Sequence, residues 1–213
     1  ELEKDLRQKS SVLVAFYNWD KFDYENAFEI LKDFGEKYKE EFNYLKKILK
    51  KDKNSGYETV FDLFSNAKKQ AKLGYYDNAV ARLYRALELF AQIRLKNEYK
   101  IETNSIKKSL NKLKNKEKRE KKKNEKGEIK IGLESDYELL NELKDPIGKI
   151  YMENRNEFLN NIKIRNLSYL AHGNDPVKEE DWKSFLNFFE KFIKECCNGI
   201  GIKWEEVNLP KKI

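Results

Sequence analysis

His172 is the only histidine in a chain of 213 residues, and Arg165 stands seven positions before it. An α-helix has about 3.6 residues per turn, so this spacing is close to two full turns and would place both side chains on one side of a helix. Arginine stays charged at ordinary pH, whereas histidine titrates near neutrality. Together these two residue types are suited to the cleavage of a phosphodiester.

Cleavage of RNA by its own 2′-hydroxyl makes two demands on such a pair. The 2′-hydroxyl loses a proton and the 5′-oxygen receives one, and an imidazole can perform either transfer. Negative charge develops on the phosphoryl oxygens, and a guanidinium can bind two of them at once. This chemistry requires no metal ion and no other cofactor. One histidine cannot easily act as both base and acid, so we expect a homodimer in which two copies of His172 and Arg165 share one cleft.

A structural role for His172 competes with the catalytic one. The segment 173–176 contains strong helix-terminating residues, which predicts that His172 lies in the last turn of a helix. We expect Ile164, Leu167 and Leu170 or Ala171 to form the apolar stripe of that helix. A histidine at a helix C-terminus is commonly a cap for the last carbonyls, and spacing alone favours this role over catalysis.

The elements that must position these residues are predicted to be helices nearly throughout. Only three prolines occur, and Glu, Lys, Leu and Ala are abundant. Apolar periodicity and cap residues predict eight helices. Seven of them have predicted bounds: 2–18, 23–50, 57–73, 103–116, 135–145, 147–172 and 179–197. The eighth begins at Asp77, and the helix over 147–172 could contain one break. Asp23 and Asp77 are predicted N-caps, and Gly74 is predicted to end the third helix.

Two of these helices have clear apolar faces. The helix that begins at Asp77 repeats apolar residues at steps of three and four, and the last helix does the same with aromatic residues. The first face consists of Val80, Leu83, Leu87 and Phe90, and the second of Trp182, Phe185, Phe188 or Phe189, and Phe192. Aromatic side chains at helical spacing belong to a core far more often than to a nucleobase platform.

The cysteines and the hydropathy exclude several classes of protein. Cys196 and Cys197 are adjacent, which strains a disulfide between them and gives no metal-ligand spacing, so we expect two buried small residues in a reducing cytoplasm. The longest apolar run, Val12 to Tyr17, is far shorter than the roughly 20 residues of a membrane span. We therefore expect a cytoplasmic protein that does not enter a membrane.

The excess positive charge belongs to one segment. Residues 107–130 contain twelve Lys or Arg and four Glu, a local net charge of +8, whereas the whole chain carries +7. A cationic segment of this kind attracts polyanions such as RNA and makes binding sensitive to salt. Runs of charge are also commonly solvated loops, and both interpretations remain open.

The segment from Arg165 through Asn166 to His172 resembles the signature of HEPN domains, an arginine followed by a polar residue and, a few positions on, a histidine. Residues 74–88 resemble HEPN helices of CRISPR-associated ancillary proteins from type III systems, and residues 19–24 fit the helix that precedes them there. The resemblance implies an all-α, HEPN-like helical bundle. We expect one domain over 1–213, with an additional N-terminal helical pair (1–55), a HEPN core (56–213) and a basic insertion (107–130).

The same resemblance implies an activity and a set of partners. Arg165 and His172 would be catalytic in an endoribonuclease that cleaves single-stranded RNA in antiviral defence, and Asn166 would orient the histidine or the phosphate. The active site would be a composite of two subunits. In that family a CARF domain usually precedes the HEPN domain and senses a cyclic oligoadenylate. No glycine-rich α/β pattern occurs here, so we expect the sensor domain to be missing and the oligoadenylate to act only through it.

Two other functions remain open on the sequence alone. The chain could be a non-catalytic helical module for binding or dimerisation, in which Arg165 and His172 are structural. It could also be a HEPN toxin that a partner nucleotidyltransferase holds inactive. Loss of RNA cleavage on substitution of His172 separates the first of these from a nuclease, and co-purification with such a partner identifies the second.

Overall fold

The computed structural model describes residues 2–103, 132–171 and 173–207, and these residues form an all-α fold. Their nine α-helices are α1 (Leu2–Asp20), α2 (Tyr24–Leu31), α3 (Lys39–Ile48), α4 (Glu58–Lys72), α5 (Tyr76–Tyr99), α6 (Leu133–Glu142), α7 (Pro146–Glu153), α8 (Arg155–Asn166) and α9 (Glu179–Gly199). No strand occurs among these residues, which confirms the predicted fold class. The predicted basic insertion (107–130) and nearly all of the predicted helix 103–116 lie outside the described residues.

The chain divides into two compact units, Glu1–Asn66 with Glu205–Ile213 and Ala67–Trp204. The predicted arrangement of one domain with a boundary near residue 55 stays a prediction. None of the described helices is both long enough and apolar enough to cross a lipid bilayer.

The first unit is built around a buried indole. Trp19 of α1 lies in an apolar cluster with Val12 and Phe16, and its Nε1 donates a hydrogen bond to Asp62 Oδ1 at 2.9 Å. The Tyr24 hydroxyl donates to the other carboxylate oxygen at 2.9 Å. A carboxylate buried this way is satisfied by two donors from different helices, which fixes α1 and α2 against the start of α4.

The predicted single helix over 23–50 is wrong, because the chain turns between α2 and α3. Asp23 caps α2 as predicted, but a 3₁₀ segment (Lys32–Phe34) and Gly35 interrupt the helix. This turn folds α3 back onto α2, so that the rings of Phe28 and Phe42 stack with centroids 5.0 Å apart. Packing contacts of this kind, between partly buried rings, outweigh the weak local preference for helix continuation.

The core of the second unit is aromatic. The rings of Tyr137, Tyr151, Phe158 and Phe192 lie with centroids 5.0 to 5.5 Å apart, at separations typical of favourable edge-to-face and offset pairs. These residues come from α6, α7, α8 and α9, which therefore share one core. The two predicted apolar faces are confirmed, because all the residues of both are buried: Val80, Leu83, Leu87, Phe90, Trp182, Phe185, Phe188, Phe189 and Phe192.

A close backbone approach joins α6 to α7. A Cβ atom at Gly148 would lie 2.1 Å from the backbone nitrogen of Asn141, so only glycine permits this packing. Asp145 caps α7 by accepting from Ile147 N at 2.9 Å, and the same carboxylate accepts from Arg94 Nε of α5 at 2.7 Å. The position of α7 relative to α5 and α6 is therefore set by specific contacts.

The start of α5 differs from the prediction. Gly74 ends the preceding helix with a left-handed φ of +80°, as expected, but Tyr75 and not Asp77 is the N-cap of α5. Asp77 lies in the first turn instead, and its Oδ2 accepts a hydrogen bond from Val177 N at 3.2 Å. This long-range contact anchors the segment that follows the candidate site.

Candidate functional site

Arg165 and Asn166 are the last two residues of α8. The predicted helix over 147–172 is broken at Asn154, within the allowance for one break, but it also ends six residues early. Both the backbone nitrogen and the hydroxyl of Ser168 donate to the Arg165 carbonyl, at 3.1 and 2.8 Å. A serine that satisfies a terminal carbonyl in this way replaces the next helical hydrogen bond and stops the helix.

The residues after α8 form a tight loop that closes on itself. A Cβ atom at Gly173 would lie only 1.7 Å from the Leu167 carbonyl oxygen, so the two backbone segments touch where no other residue fits. Asp175 N donates to that same oxygen at 3.4 Å, and Ser168 and Asp175 form an isolated bridge. Ser168 itself is buried. This closure is the physical reason that the helix cannot continue.

His172 lies outside the described residues. Because α8 ends at Asn166, the two-turn helical spacing that linked Arg165 to His172 does not apply. The chain neighbours of His172 are both anchored, since Ala171 N and Gly173 N donate to the carbonyl of Ser168 at 3.0 and 3.2 Å.

The predicted apolar stripe of this segment is also wrong. Leu167 and Leu170 remain 51% and 53% exposed. The residues that α8 buries are Phe158, Asn161 and Ile162, which lie earlier in the helix. The apolar residues beyond Asn166 thus continue a helical pattern in the sequence but do not pack as one.

The Arg165 side chain lies over an aromatic ring. Its guanidinium carbon is 4.5 Å from the centroid of Tyr84, a cation–π contact between α8 and α5. Its Nη1 donates to Asn166 Oδ1 at 3.3 Å, which connects two of the predicted site residues. Burial raises the pKa of the Tyr84 hydroxyl, and the charge of Arg165 partly offsets this rise. Within the part of the chain that the structure describes, no carboxylate lies at ion-pair distance from Arg165.

Sequence reasoning missed Tyr84. The residue lies 81 positions before Arg165, within the stretch 74–88 that resembles HEPN helices, but that resemblance gives it no role of its own. The sequence indicates only that Tyr84 lies beside the buried face of α5, a position that many other side chains also occupy. The ring–guanidinium contact is visible only once α5 and α8 are packed together.

A second unpredicted feature is a pair of acidic residues, Glu88 of α5 and Asp136 of α6. Asp136 has an exposure of 0%, and neither of its carboxylate oxygens has a hydrogen-bond partner among the described residues. Burial first, and then the charge of Glu88, raise the pKa of Asp136 to about 8; the Gln92 side chain, which interacts with the carboxylate without meeting hydrogen-bond geometry, and the charge of Arg85 oppose this rise. Asp136 also acts on the pKa of Tyr84, so the pair lies near the candidate site.

The two cysteines lie buried in α9 as free thiols, as predicted. Burial raises the pKa of the Cys197 thiol to about 12 and that of Cys196 well above its ordinary value. A thiol with such a raised pKa is a poor nucleophile at neutral pH. Among the described residues, no group of three or more His, Cys, Asp or Glu side chains could hold a metal ion.

Comparison with known proteins identifies the family. A family model described as the Csm6 HEPN domain matches residues 50–196, about two thirds of the chain. The matched range includes α5, α8 and the loop that follows α8. Neither curated proteins nor solved structures gave a match. The match confirms the predicted resemblance, and the chain belongs to the Csm6 HEPN domain family of type III CRISPR-associated proteins.

Proposed function

We propose that this chain is the catalytic part of a metal-independent endoribonuclease that cleaves single-stranded RNA in CRISPR antiviral defence. Arg165, Asn166 and His172 are its proposed site residues, and two subunits contribute one composite active site. The observation that carries the proposal is the family match over a range that contains all three residues. HEPN proteins of this family are generally ribonucleases.

The surroundings of Arg165 support its role. Its guanidinium lies at the end of α8, beside an exposed loop, and no described carboxylate neutralises its charge. A phosphodiester that approaches this side chain would meet a guanidinium with several donors and with no ion-pair partner in the described part of the chain. Asn166 accepts from the guanidinium through its Oδ1, so its amide nitrogen remains available to a phosphate or a ribose hydroxyl.

In the proposed reaction His172 transfers protons and Arg165 stabilises negative charge. His172 of one subunit removes the proton of the 2′-hydroxyl, which then attacks the adjacent phosphorus. Arg165 stabilises the negative charge on the non-bridging oxygens. The 5′-oxygen leaves with a proton from His172 of the second subunit, giving a 2′,3′-cyclic phosphate and a 5′-hydroxyl. In a longer protein, a cyclic oligoadenylate would regulate this step through an upstream CARF domain.

The test is cleavage of a 5′-labelled single-stranded RNA in excess EDTA, with the product ends identified by mass spectrometry. Wild type should produce cyclic-phosphate ends, and His172→Ala and Arg165→Ala should each lose at least about a hundredfold in rate. Arg155→Ala is the matched control, since it removes an arginine from the same helix that is already paired with Glu134 at 2.6 Å. The proposed composite site also requires that the rate per chain rises with protein concentration until the dimer is saturated.

Equal cleavage by wild type and His172→Ala would refute the mechanism. RNA binding without cleavage, unchanged by His172→Ala, would instead identify a non-catalytic HEPN module. Activity that EDTA abolishes would contradict the metal-independent chemistry.

A further inference from the structure

We propose that Tyr84 is a positioning residue for the phosphate-binding guanidinium of Arg165, an inference that rests on the proposed nuclease function. The Tyr84 ring lies 4.5 Å from the guanidinium carbon, and both side chains are partly exposed. The contact joins α5 to the end of α8, so the ring gives a flexible arginine a fixed support.

Three other arginines of this unit, each paired with a carboxylate, show why the support matters. Arg94 pairs with Asp145 at 2.7 Å, and Arg155 pairs with Glu134 at 2.6 Å. Arg85 pairs with Glu88 at 2.5 Å. In each of these pairs a carboxylate holds the guanidinium, and the same carboxylate neutralises its charge and occupies some of its donors. These arginines are therefore poorly suited to bind a phosphate.

Arg165 is held in a different way. An aromatic ring attracts a cation through its face and carries no formal charge, so it fixes the guanidinium without neutralising it. The N–H groups at the edge of the guanidinium stay available for two phosphoryl oxygens. Asn166 uses one of these groups, through its Oδ1 at 3.3 Å, and a phosphate can compete for such a long contact.

The position of the ring itself is well defined. Tyr84 follows Leu83 and precedes Leu87 on α5, and both leucines are buried in the core of the second unit. The backbone that carries Tyr84 therefore cannot shift without disturbing that core. The ring is rigid, whereas an arginine side chain without support samples many rotamers.

The inference predicts a specific effect on catalysis. Without the ring, Arg165 keeps its charge but loses its fixed geometry, and misplacement of a catalytic group by about 1 Å can lower a rate on the order of a hundredfold. We expect Tyr84→Leu to lower the single-turnover cleavage rate about ten- to a hundredfold while RNA binding falls less. Tyr84→Phe keeps the ring and should retain nearly the wild-type rate, which excludes a role for the hydroxyl.

Two controls separate this effect from damage to the fold. Tyr75→Leu removes an exposed tyrosine at the N-cap of the same helix and should leave the cleavage rate unchanged. The Nε–Hε resonance of Arg165, measured by NMR, reports the ring directly. It should lie upfield in wild type and in Tyr84→Phe, and it should move to the position of a solvated arginine in Tyr84→Leu.

The outcomes distinguish this inference from the proposed function. Wild-type cleavage by Tyr84→Leu, together with loss of activity in Arg165→Ala, would overturn the positioning role and leave the nuclease intact. If the wild-type protein does not cleave RNA, the proposed function fails, and the positioning role is judged on binding of a 2′-deoxy strand. Tyr84→Leu should then weaken that binding measurably but less than Arg165→Ala, because the charge of Arg165 remains, and wild-type binding by Tyr84→Leu would overturn the inference.

Discussion

Replacement of Asp136 by Asn should stabilise the protein near neutral pH. The Asp136 side chain has no exposure, and neither of its oxygens accepts a hydrogen bond of good geometry from the described residues. Burial and the charge of Glu88 raise the pKa of Asp136 from an ordinary value of 3.8 to about 8. In the unfolded chain the carboxyl ionises near pH 4, whereas in the folded protein it keeps its proton to about pH 8. Folding stability should therefore fall as pH rises through this window.

The size of the effect follows from the same two pKa values. Each unit of pKa difference corresponds to about 1.36 kcal/mol, so the shift from 3.8 to about 8 sets an upper limit of ~6 kcal/mol. At pH 7 the unfolded chain is ionised and the folded carboxyl is still mostly protonated, which makes about 4 kcal/mol available to the substitution. Relaxation and water penetration reduce such values, so we expect Asp136→Asn to gain about 2 to 4 kcal/mol at pH 7. Near pH 4 the gain should vanish, because an asparagine and a protonated aspartic acid have similar shapes and neither is charged.

Urea denaturation between pH 4.5 and 8.5 measures this difference in the free energy of unfolding. The wild-type value should fall with rising pH more steeply than that of Asp136→Asn. Glu88→Gln is the matched control, because it removes the neighbouring charge, lowers the pKa of Asp136 and should reduce the wild-type slope without abolishing it. Parallel pH profiles for wild type and Asp136→Asn would show that Asp136 is ionised in the folded protein and would refute the reasoning.

Three further substitutions test close contacts in the fold. Gly148→Ala places a Cβ atom 2.1 Å from Asn141 N and should cost about 1 to 3 kcal/mol of folding stability, and an unchanged urea midpoint would contradict the packing of α6 on α7. Trp19→Phe removes the indole donor that binds a buried carboxylate at 2.9 Å, and it should lower stability by about 1 to 3 kcal/mol in the same assay. Gly173→Ala places a Cβ atom 1.7 Å from the Leu167 carbonyl oxygen, so the loop must open, and the variant should lose RNA cleavage and about 1 to 3 kcal/mol of folding stability. Full activity in that variant would show that the loop tolerates rearrangement.

Much of the fold was predictable because its helices carry regular apolar patterns. The buried faces of α5 and α9 repeat at three- and four-residue steps, and their side chains occupy the core as expected. Gly74 ends α4 with a positive φ, a conformation that glycine adopts at little cost. In these cases the local sequence and the tertiary packing favour the same structure.

The candidate site was less predictable because long-range contacts decide it. Leu167 and Leu170 continue the helical spacing of α8, so local periodicity predicts a helix through them. The chain instead leaves the helix at Ser168, whose hydroxyl and amide satisfy the Arg165 carbonyl, and Gly173 allows the loop to close. The loop depends on an approach between residues that no periodic pattern relates.

The predicted pairing of Arg165 with His172 on one helix face therefore needs a different physical basis. Arg165 belongs to the end of α8 and is supported by Tyr84 of α5. The chain around His172 belongs to a separate loop, whose flanking amides bind the Ser168 carbonyl. If each proposed catalytic group has its own support, the two can be disturbed independently. Closure of the loop should then govern proton transfer, so Gly173→Ala should lose cleavage but keep binding of a 2′-deoxy strand, whereas Arg165→Ala should lose both.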